Sequence, residues 1–282
     1  MQLKQALASA VDRLEAADVG SPRMNAEVLL MFVLGVNRAY LYAHPERELT
    51  CEEEAGFDEA LSQRATGMPS QYITGHQEFW GLDFIVSPAV LIPRPETEHL
   101  VETVLELVRW IPQPRIVDVG TGSGCIALAL AHELKDAEVY GFDVSAEALE
   151  IARANAARLG LDARVHFARG DVLSSWSDAR DIDFVVSNPP YVGFGEADKV
   201  QKSVRDFEPG VAVFAGEQGL EVIGPLVQQA HAALKPGGWL AVEIGYSMRD
   251  AVLCLLSPTM WDDIRIVPDL QGIPRVVAAR KP

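Results

Sequence analysis

Between about residue 114 and residue 244 the chain alternates short apolar runs with helical stretches, and this alternation limits the fold more than any other feature. The apolar runs are Ile116-Val117-Asp118-Val119, Val139 to Asp143, Val165 to Ala168, Ile182 to Val186 and Trp239 to Ile244. Between them lie helix-like segments at Ile126 to Glu133, Ser145 to Gly160 and about Gly219 to Leu234. Strands joined by helices cannot pair as hairpins. They build a parallel sheet with a helical layer on each face. Ligands of such sheets bind beyond the C-terminal ends of the strands. Asp118, the glycines after Val119, Asp143, Asp171 and Asn188 all fall on that edge.

The flanks read differently. Ile264 to Val267 and Arg275 to Ala278 make a closing antiparallel hairpin. Residues 1–75 show only helical periodicity. Leu3, Ala6, Leu7, Ala10, Val11 and Leu14 share one face. Ser21-Pro22 reads as a cap followed by proline at the first helical position, and Asn37 to Ala43 as a short third helix. Thr50 with Glu53 makes a capping box for a fourth. Phe79 to Val86, with Gly81 between its arms, reads as a hairpin. The expected architecture is therefore α/β: a doubly wound, mostly parallel Rossmann-like sheet with a C-terminal antiparallel hairpin, preceded by a small all-α domain. Domain limits are expected at 1–75, 76–93 for a hairpin linker, and 94–282.

Composition narrows the partners. A chain of 282 residues with 49% apolar and 23% charged side chains can bury a core. The net charge of −16 disfavours a general duplex-DNA binder, which must neutralise phosphates, and suits a basic protein partner. Residues 1–75 share this balance, with six Lys/Arg against eleven Asp/Glu. No run of 18 apolar residues predicts a membrane span, and Met1 to Gln5 opens no signal peptide. Cys51, Cys125 and Cys254 are far apart, and their odd count argues against a disulfide framework. A reducing cytoplasm is expected. Neither the cysteines nor the six scattered histidines form a metal-ligand spacing, so no metal is expected.

Gly120-Thr121-Gly122-Ser123-Gly124 joins a strand to a helix, and its glycines let a ligand approach the backbone. Alone, the loop could equally cradle a dinucleotide, although its third glycine is one residue early for that fingerprint. Asp143 can accept both hydroxyls of a ribose, a role shared by nicotinamide and S-adenosylmethionine sites. Asp171 can accept from an adenine amine, with the Val172 N–H alongside. Asp118 can be either a ligand or a brace for the loop.

The ending of the fourth strand breaks that tie. In Ser187-Asn188-Pro189-Pro190-Tyr191 the two prolines stiffen the chain as it leaves the sheet and remove backbone donors. The Asn188 side-chain oxygen and the Pro189 carbonyl are two acceptors, and Tyr191 is a flat wall beside them. Two acceptors and a flat wall suit a planar NH2 group. Hydride transfer has no use for such a clamp, whereas methyl transfer to nitrogen does.

Together these residues resemble the S-adenosylmethionine-dependent methyltransferases, and more closely the bacterial peptide chain release factor glutamine methyltransferase family. The resemblance runs through Ser21-Pro22-Arg23, Gln71 to Gly75, Ile92-Pro93-Arg94-Pro95-Glu96-Thr97-Glu98, the glycine loop, Ser187 to Val192, Phe207-Glu208-Pro209 and Glu243-Ile244-Gly245. Pro93 to Glu98 is its most specific part, since the sibling ribosomal-protein enzyme departs from it there. Ser247-Met248 departs from the family, which often carries a glutamine after this Gly-Tyr pair. The resemblance implies S-adenosylmethionine as donor, with S-adenosylhomocysteine as product. It implies as substrate the glutamine of the Gly-Gly-Gln tripeptide of class 1 release factors, and it implies recognition by the helical domain. Asn188, Pro189 and Tyr191 would carry catalysis, with Pro190 joining them in binding the substrate. Gly120, Thr121, Gly122, Ser123, Gly124, Asp143, Asp171, Val172 and Asn188 would hold the cofactor. A cytoplasmic monomer without direct nucleic-acid contact is expected. The competing readings are a ribosomal-protein glutamine methyltransferase, a DNA adenine methyltransferase, and a non-catalytic cofactor-binding or protein-interaction module.

Overall fold

The computed structural model describes residues 1–174, 176 and 181–282. The chain divides into two compact units, Met1–His76 with Lys202–Phe207, and Gln77–Gln201 with Glu208–Pro282.

The first unit is helical: α1 (Leu3–Ala16), α2 (Pro22–Leu34), α3 (Arg38–Ala43), α4 (Cys51–Ala65) and α5 (Ser70–Thr74). The apolar stripe of α1 supplies Leu3, Ala6, Ala10 and Leu14 to a core shared with Leu29 and Leu30 of α2 and Phe57 and Leu61 of α4. The capping box forms as the sequence predicts. Glu53 N–H donates to Thr50 Oγ1 at 3.2 Å, and Thr50 N–H donates to Glu53 Oε2 at 2.9 Å. The cap expected at Ser21 does not form. Ser21 sits at φ 51, in the left-handed region, and its hydroxyl caps nothing. Asn25 reaches back instead, its Nδ2 donating to the carbonyls of Gly20 and Ser21.

Next come β1 (His76–Phe79) and β2 (Leu82–Ile85), a two-stranded hairpin. Trp80 and Gly81 at its tip both have positive φ, 56 and 69, the backbone of a two-residue turn whose twist matches its strands. Phe79 and Phe84 from its arms meet edge to face, ring centroids 6.2 Å apart, in the core of the second unit.

A single turn of 3-10 helix, Pro95–Thr97, leads into α6 (Glu98–Val108). The chain continues through β3 (Arg115–Val119), α7 (Cys125–Glu133), β4 (Glu138–Asp143), α8 (Ala146–Leu159), β5 (Val165–Arg169) and β6 (Ile182–Ser187). It ends with α9 (Lys202–Phe207), α10 (Gly210–Val213), α11 (Ile223–Ala233), β7 (Leu234–Glu243), α12 (Arg249–Leu255), β8 (Asp262–Pro268) and β9 (Pro274–Arg280). Seven strands form one sheet in the order β5-β4-β3-β6-β7-β9-β8. The first five are mutually parallel, and β9 and β8 run antiparallel.

Side chains alternate between two apolar layers, as a period of two requires. Phe184 and Val186, Trp239 and Ala241, and Val276 and Ala278 pack on α6 and α7. Val185, Leu240 and Val242, and Val277 and Ala279 pack on α11 and α12. Covered on both faces, the sheet is doubly wound, as the alternation predicts. One boundary differs. The sequence places the start of β7 at Trp239, after Pro236-Gly237-Gly238, yet the strand runs from Leu234. Leu234 pairs with Ile182 and Trp239 with Phe184, so a bulge takes up the extra residues.

The chain winds outward from β3 to β4 and β5, then returns to place β6 on the other side of β3. This reversal opens a crevice above the ends of β3, β4 and β6. Among the described residues no helix is long and apolar enough to cross a membrane.

Candidate functional site

A cleft of about 1140 Å3, its open mouth included, occupies that crevice. Gly120, Thr121, Gly122, Ser123, Asp143, Asp171, Val172, Asn188, Pro189 and Pro190 all line it. Gly124 and Tyr191 do not.

The glycine loop is shaped from below. The N–H groups of Gly120 and Thr121 both donate to the Phe142 carbonyl, at 2.8 and 2.9 Å. Thr121 Oγ1 donates to Asp118 Oδ2 at 2.7 Å. Asp118 is fully buried, and burial, the largest effect, pushes its carboxyl up to about 7. It therefore lies beneath the loop as a brace, one of the two roles left open for it. A Cβ at Gly122 (φ 55) would meet nothing within 4 Å, so the backbone there faces open space. At Gly124 (φ 80) a Cβ would lie 3.1 Å from atoms of Leu128 and Phe167 and 3.3 Å from Ala152. Gly124 thus allows the loop to close onto α7 and α8. Asn155 of α8, also fully buried, ties the loop to the hairpin. Its Nδ2 donates to the Ser123 carbonyl at 2.9 Å and to the Ile85 carbonyl at 3.0 Å, and its Oδ1 accepts from Ile85 N–H at 2.7 Å.

Asp143 ends β4 beside the loop. Its Oδ2 accepts from Gly122 N–H at 2.8 Å and its Oδ1 from Ser145 N–H at 2.9 Å. A carboxylate offers about four acceptor positions, so each oxygen keeps capacity for a hydroxyl. Val172 holds φ 52, a left-handed conformation that β-branched residues avoid at a cost of about 1–3 kcal/mol. Together with Asp171 it forms one wall. The apolar parts of the cleft come from Val90, Leu91, Pro93, Pro209, Val211 and Ala212. Sequence reasoning assigned none of these residues to the site, because the short stretches that carry them are too brief to show a period.

β6 ends in the stiff corner. Ser187 Oγ donates to the Val119 carbonyl at 2.7 Å, locking this end of β6 to β3. Asn188 is half-buried and Pro189 is buried. Asn188 Nδ2 donates to Thr97 Oγ1 at 3.0 Å, while its Oδ1 takes no hydrogen bond from the described residues. Tyr191 does not line the cleft, and its ring lies beside Gly245 instead. A Cβ at Gly245 would lie 3.1 Å from its ring, and burial pushes its phenol up to about 12. Glu208 lies in the Phe207-Glu208-Pro209 stretch, whose sequence assigns it no role. It accepts from Ile92 N–H at 3.1 Å and pairs with Arg94. Glu243, at the end of β7, is 3% exposed, and burial above all pushes its carboxyl up to about 7.

The residues fit an adenosyl cofactor on these observations. The loop backbone is open at Gly122, Asp143 has acceptors to spare at the loop's side, and the remaining walls are apolar enough for a flat ring. The corner supplies a neutral acceptor at the far side of the same space.

Residues 5–75 match the family described as PrmC N-terminal domain, and residues 96–205 match the Methyltransferase small domain. The chain is 58% identical over 286 residues to the release factor glutamine methyltransferase of Koribacter versatilis, covering 100% of this chain and 99% of the relative. It is 41% identical over 281 residues to that of Nitratidesulfovibrio vulgaris, covering 99% and 95%. Among solved structures, the catalytic domain of hMettl16 in complex with a MAT2A 3'UTR hairpin aligns with a TM-score of 0.58 at 18% identity. It covers 78% of this chain and 81% of its own, and the likeness is one of fold alone.

Proposed function

The chain belongs to the release factor glutamine methyltransferase family, and from that premise we propose that it methylates the side-chain amide nitrogen of a glutamine in class 1 peptide chain release factors. The glutamine is that of the Gly-Gly-Gln tripeptide, and the donor is S-adenosylmethionine. One observation carries this reading: the open glycine loop, Asp143 and the Asn188-Pro189 corner line a single cleft.

When bound, S-adenosylmethionine supplies a methyl carbon already activated by a positive sulfur. Gly120 to Ser123 give it backbone to lie against, Asp143 accepts its ribose hydroxyls, and Asp171 with the Val172 N–H takes its adenine. An amide nitrogen is a poor nucleophile because its lone pair is delocalised. Asn188 Oδ1 and the Pro189 carbonyl accept its two N–H bonds, which fixes the nitrogen and directs its lone pair at the methyl carbon. Positioning of this kind supplies most of the acceleration. The new N–C bond would form as the methyl–sulfur bond breaks, with S-adenosylhomocysteine as the product, and the methylated nitrogen, then strongly acidic, would shed its proton to water, so none of the cleft residues has to act as a strong base. Tyr191 supports the corner, its ring beside Gly245, and Pro190 stiffens it. Residues 1–75 act as the recognition unit, 76–93 as the hairpin linker and 94–282 as the catalytic part of a cytoplasmic monomer.

The test is incubation with methyl-labelled S-adenosylmethionine and a purified class 1 release factor, followed by peptide mass spectrometry. Label on the Gly-Gly-Gln glutamine is expected. Label on a ribosomal protein or on DNA adenine, with none on the release factor, would overturn the reading.

A further inference from the structure

Thr97 ends the 3-10 turn that runs straight into α6, and its own backbone is already helical (φ −67, ψ −20), so its hydroxyl is not set out to cap the helix. Here it makes no capping hydrogen bond. The residue is 2% exposed, and its Oγ1 accepts the Nδ2–H of Asn188 at 3.0 Å. Glu243 is a second polar neighbour of Thr97. In the sheet Ser187 pairs with Val242, so the next residues, Asn188 and Glu243, leave neighbouring strands side by side. Burial raises the Glu243 carboxyl, the Thr97 hydroxyl acts in the opposite sense by favouring its charged form, and Glu243 Oε2 is buried without a partner among the described residues.

A hydroxyl has one proton to give. Above about pH 7, where Glu243 is a carboxylate and only accepts, the proton of Thr97 goes to Glu243. Towards Asn188 the same oxygen can then only accept. The carboxamide must turn its NH2 to Thr97 and its Oδ1 away. Rotated by half a turn, Asn188 would set an oxygen against the Thr97 lone pairs and present donors to a substrate NH2, which is itself a donor.

We propose that Thr97 is a positioning residue for the transfer: with its proton committed to Glu243, it holds Nδ2 of Asn188 and so leaves Oδ1 as the acceptor offered to the substrate amide. This rests on the reading of Asn188 given above, and it adds the device that selects one of two side-chain orientations which differ little in shape.

The test, run well above pH 7 where Glu243 is ionised, compares T97V, which keeps the shape and loses the hydroxyl, with T97S, which keeps the hydroxyl. Turnover on the release factor is expected to fall roughly 10- to 30-fold in T97V, the effect of losing one orienting hydrogen bond. S-adenosylmethionine affinity should stay within about threefold, and T97S should recover most of the lost turnover. In an N188A background T97V should change turnover by less than about twofold, because the two residues act as one unit. T97V turnover near that of wild type, or its full loss repeated on top of N188A, would overturn the proposal. Should T97V fail to fold, 15N-asparagine-labelled wild-type protein decides. Nuclear Overhauser contacts from the Asn188 NH2 protons to the Thr97 methyl group are expected, and contacts from them to the methyl of bound S-adenosylmethionine would refute it. If wild type itself places no methyl on the glutamine, the underlying function fails, and the labelling and NMR results tell the two failures apart.

Discussion

Replacing Asp143 by alanine separates two roles that its position combines. The structure gives it a supporting role already: it accepts from Gly122 N–H at 2.8 Å and from Ser145 N–H at 2.9 Å. Hydrogen bonds to a charged acceptor contribute about 1.5–3 kcal/mol where buried, and a half-buried group such as this one nearer 1 kcal/mol each. The brace is therefore worth about 2 kcal/mol, or roughly 4–8 °C in melting temperature for a chain of this size. The proposed ribose role adds two further charge-assisted bonds, together about 3 kcal/mol, so D143A should bind S-adenosylmethionine roughly 100-fold more weakly. Asn155→Ala is the comparator. Asn155 braces the same loop from behind, with one hydrogen bond to Ser123 at 2.9 Å and two to Ile85 of the hairpin at 2.7 and 3.0 Å, but does not line the cleft. N155A should cost about as much stability or more, yet weaken cofactor binding less than about fivefold. Thermal melts of the free proteins and calorimetric titration with S-adenosylmethionine measure both quantities. Equal losses of affinity in D143A and N155A would refute the reasoning, because Asp143 would then act only through the loop.

Asn188→Ala should lower turnover roughly 100-fold or more while cofactor affinity stays near wild type, measured by single-turnover methyl transfer and calorimetry. Glu243 has its carboxyl raised from 4.5 to about 7, chiefly by burial, with Thr97, Arg275, Glu96 and Arg94 as its polar surroundings. Between those values the folded state binds the extra proton, so this contribution is full below pH 4.5 and is lost as the pH rises through about 7. Relative to wild type, E243Q should flatten the decline in unfolding free energy over that window by on the order of 2 kcal/mol, read from urea melts at several pH values. Gly124→Ala should destabilise the protein by about 1–3 kcal/mol, since it adds strain at φ 80 and crowds Leu128, Phe167 and Ala152. G122A meets no neighbour, so it should lose less stability than G124A while losing more cofactor affinity.

What could be read from the chain alone depended on whether the cause was local. The strand periods and the Thr50-Glu53 box are written in consecutive residues, and both appear where the sequence places them. The corner after β6 and the loop after β3 were recognisable because prolines and glycines restrict the backbone wherever they occur. The Thr97, Asn188 and Glu243 cluster was not legible. Its members are separated by 91 and 55 residues, and only the parallel pairing of β6 with β7 brings two of them abreast. Tyr191 shows the same limit. An aromatic residue beside a clamp suggests a wall for the ligand, but the strand end turns its ring towards Gly245, where the missing side chain makes room. Ser21 misled for a different reason. A left-handed φ at the cap position carries the hydroxyl away from the helix, and no residue type announces that beforehand.

The position of β9 has a consequence for how this chain reaches its final form. It follows β8 in synthesis but lies inside it, hydrogen-bonded to β7 on one flank and β8 on the other. Until Pro274–Arg280 have left the ribosome, β7 has an open flank and β8 has no neighbour to join. Nascent protein would wait with a sticky ribbon showing, and a frameshift after residue 273 would set loose two strands where the lost length suggests one.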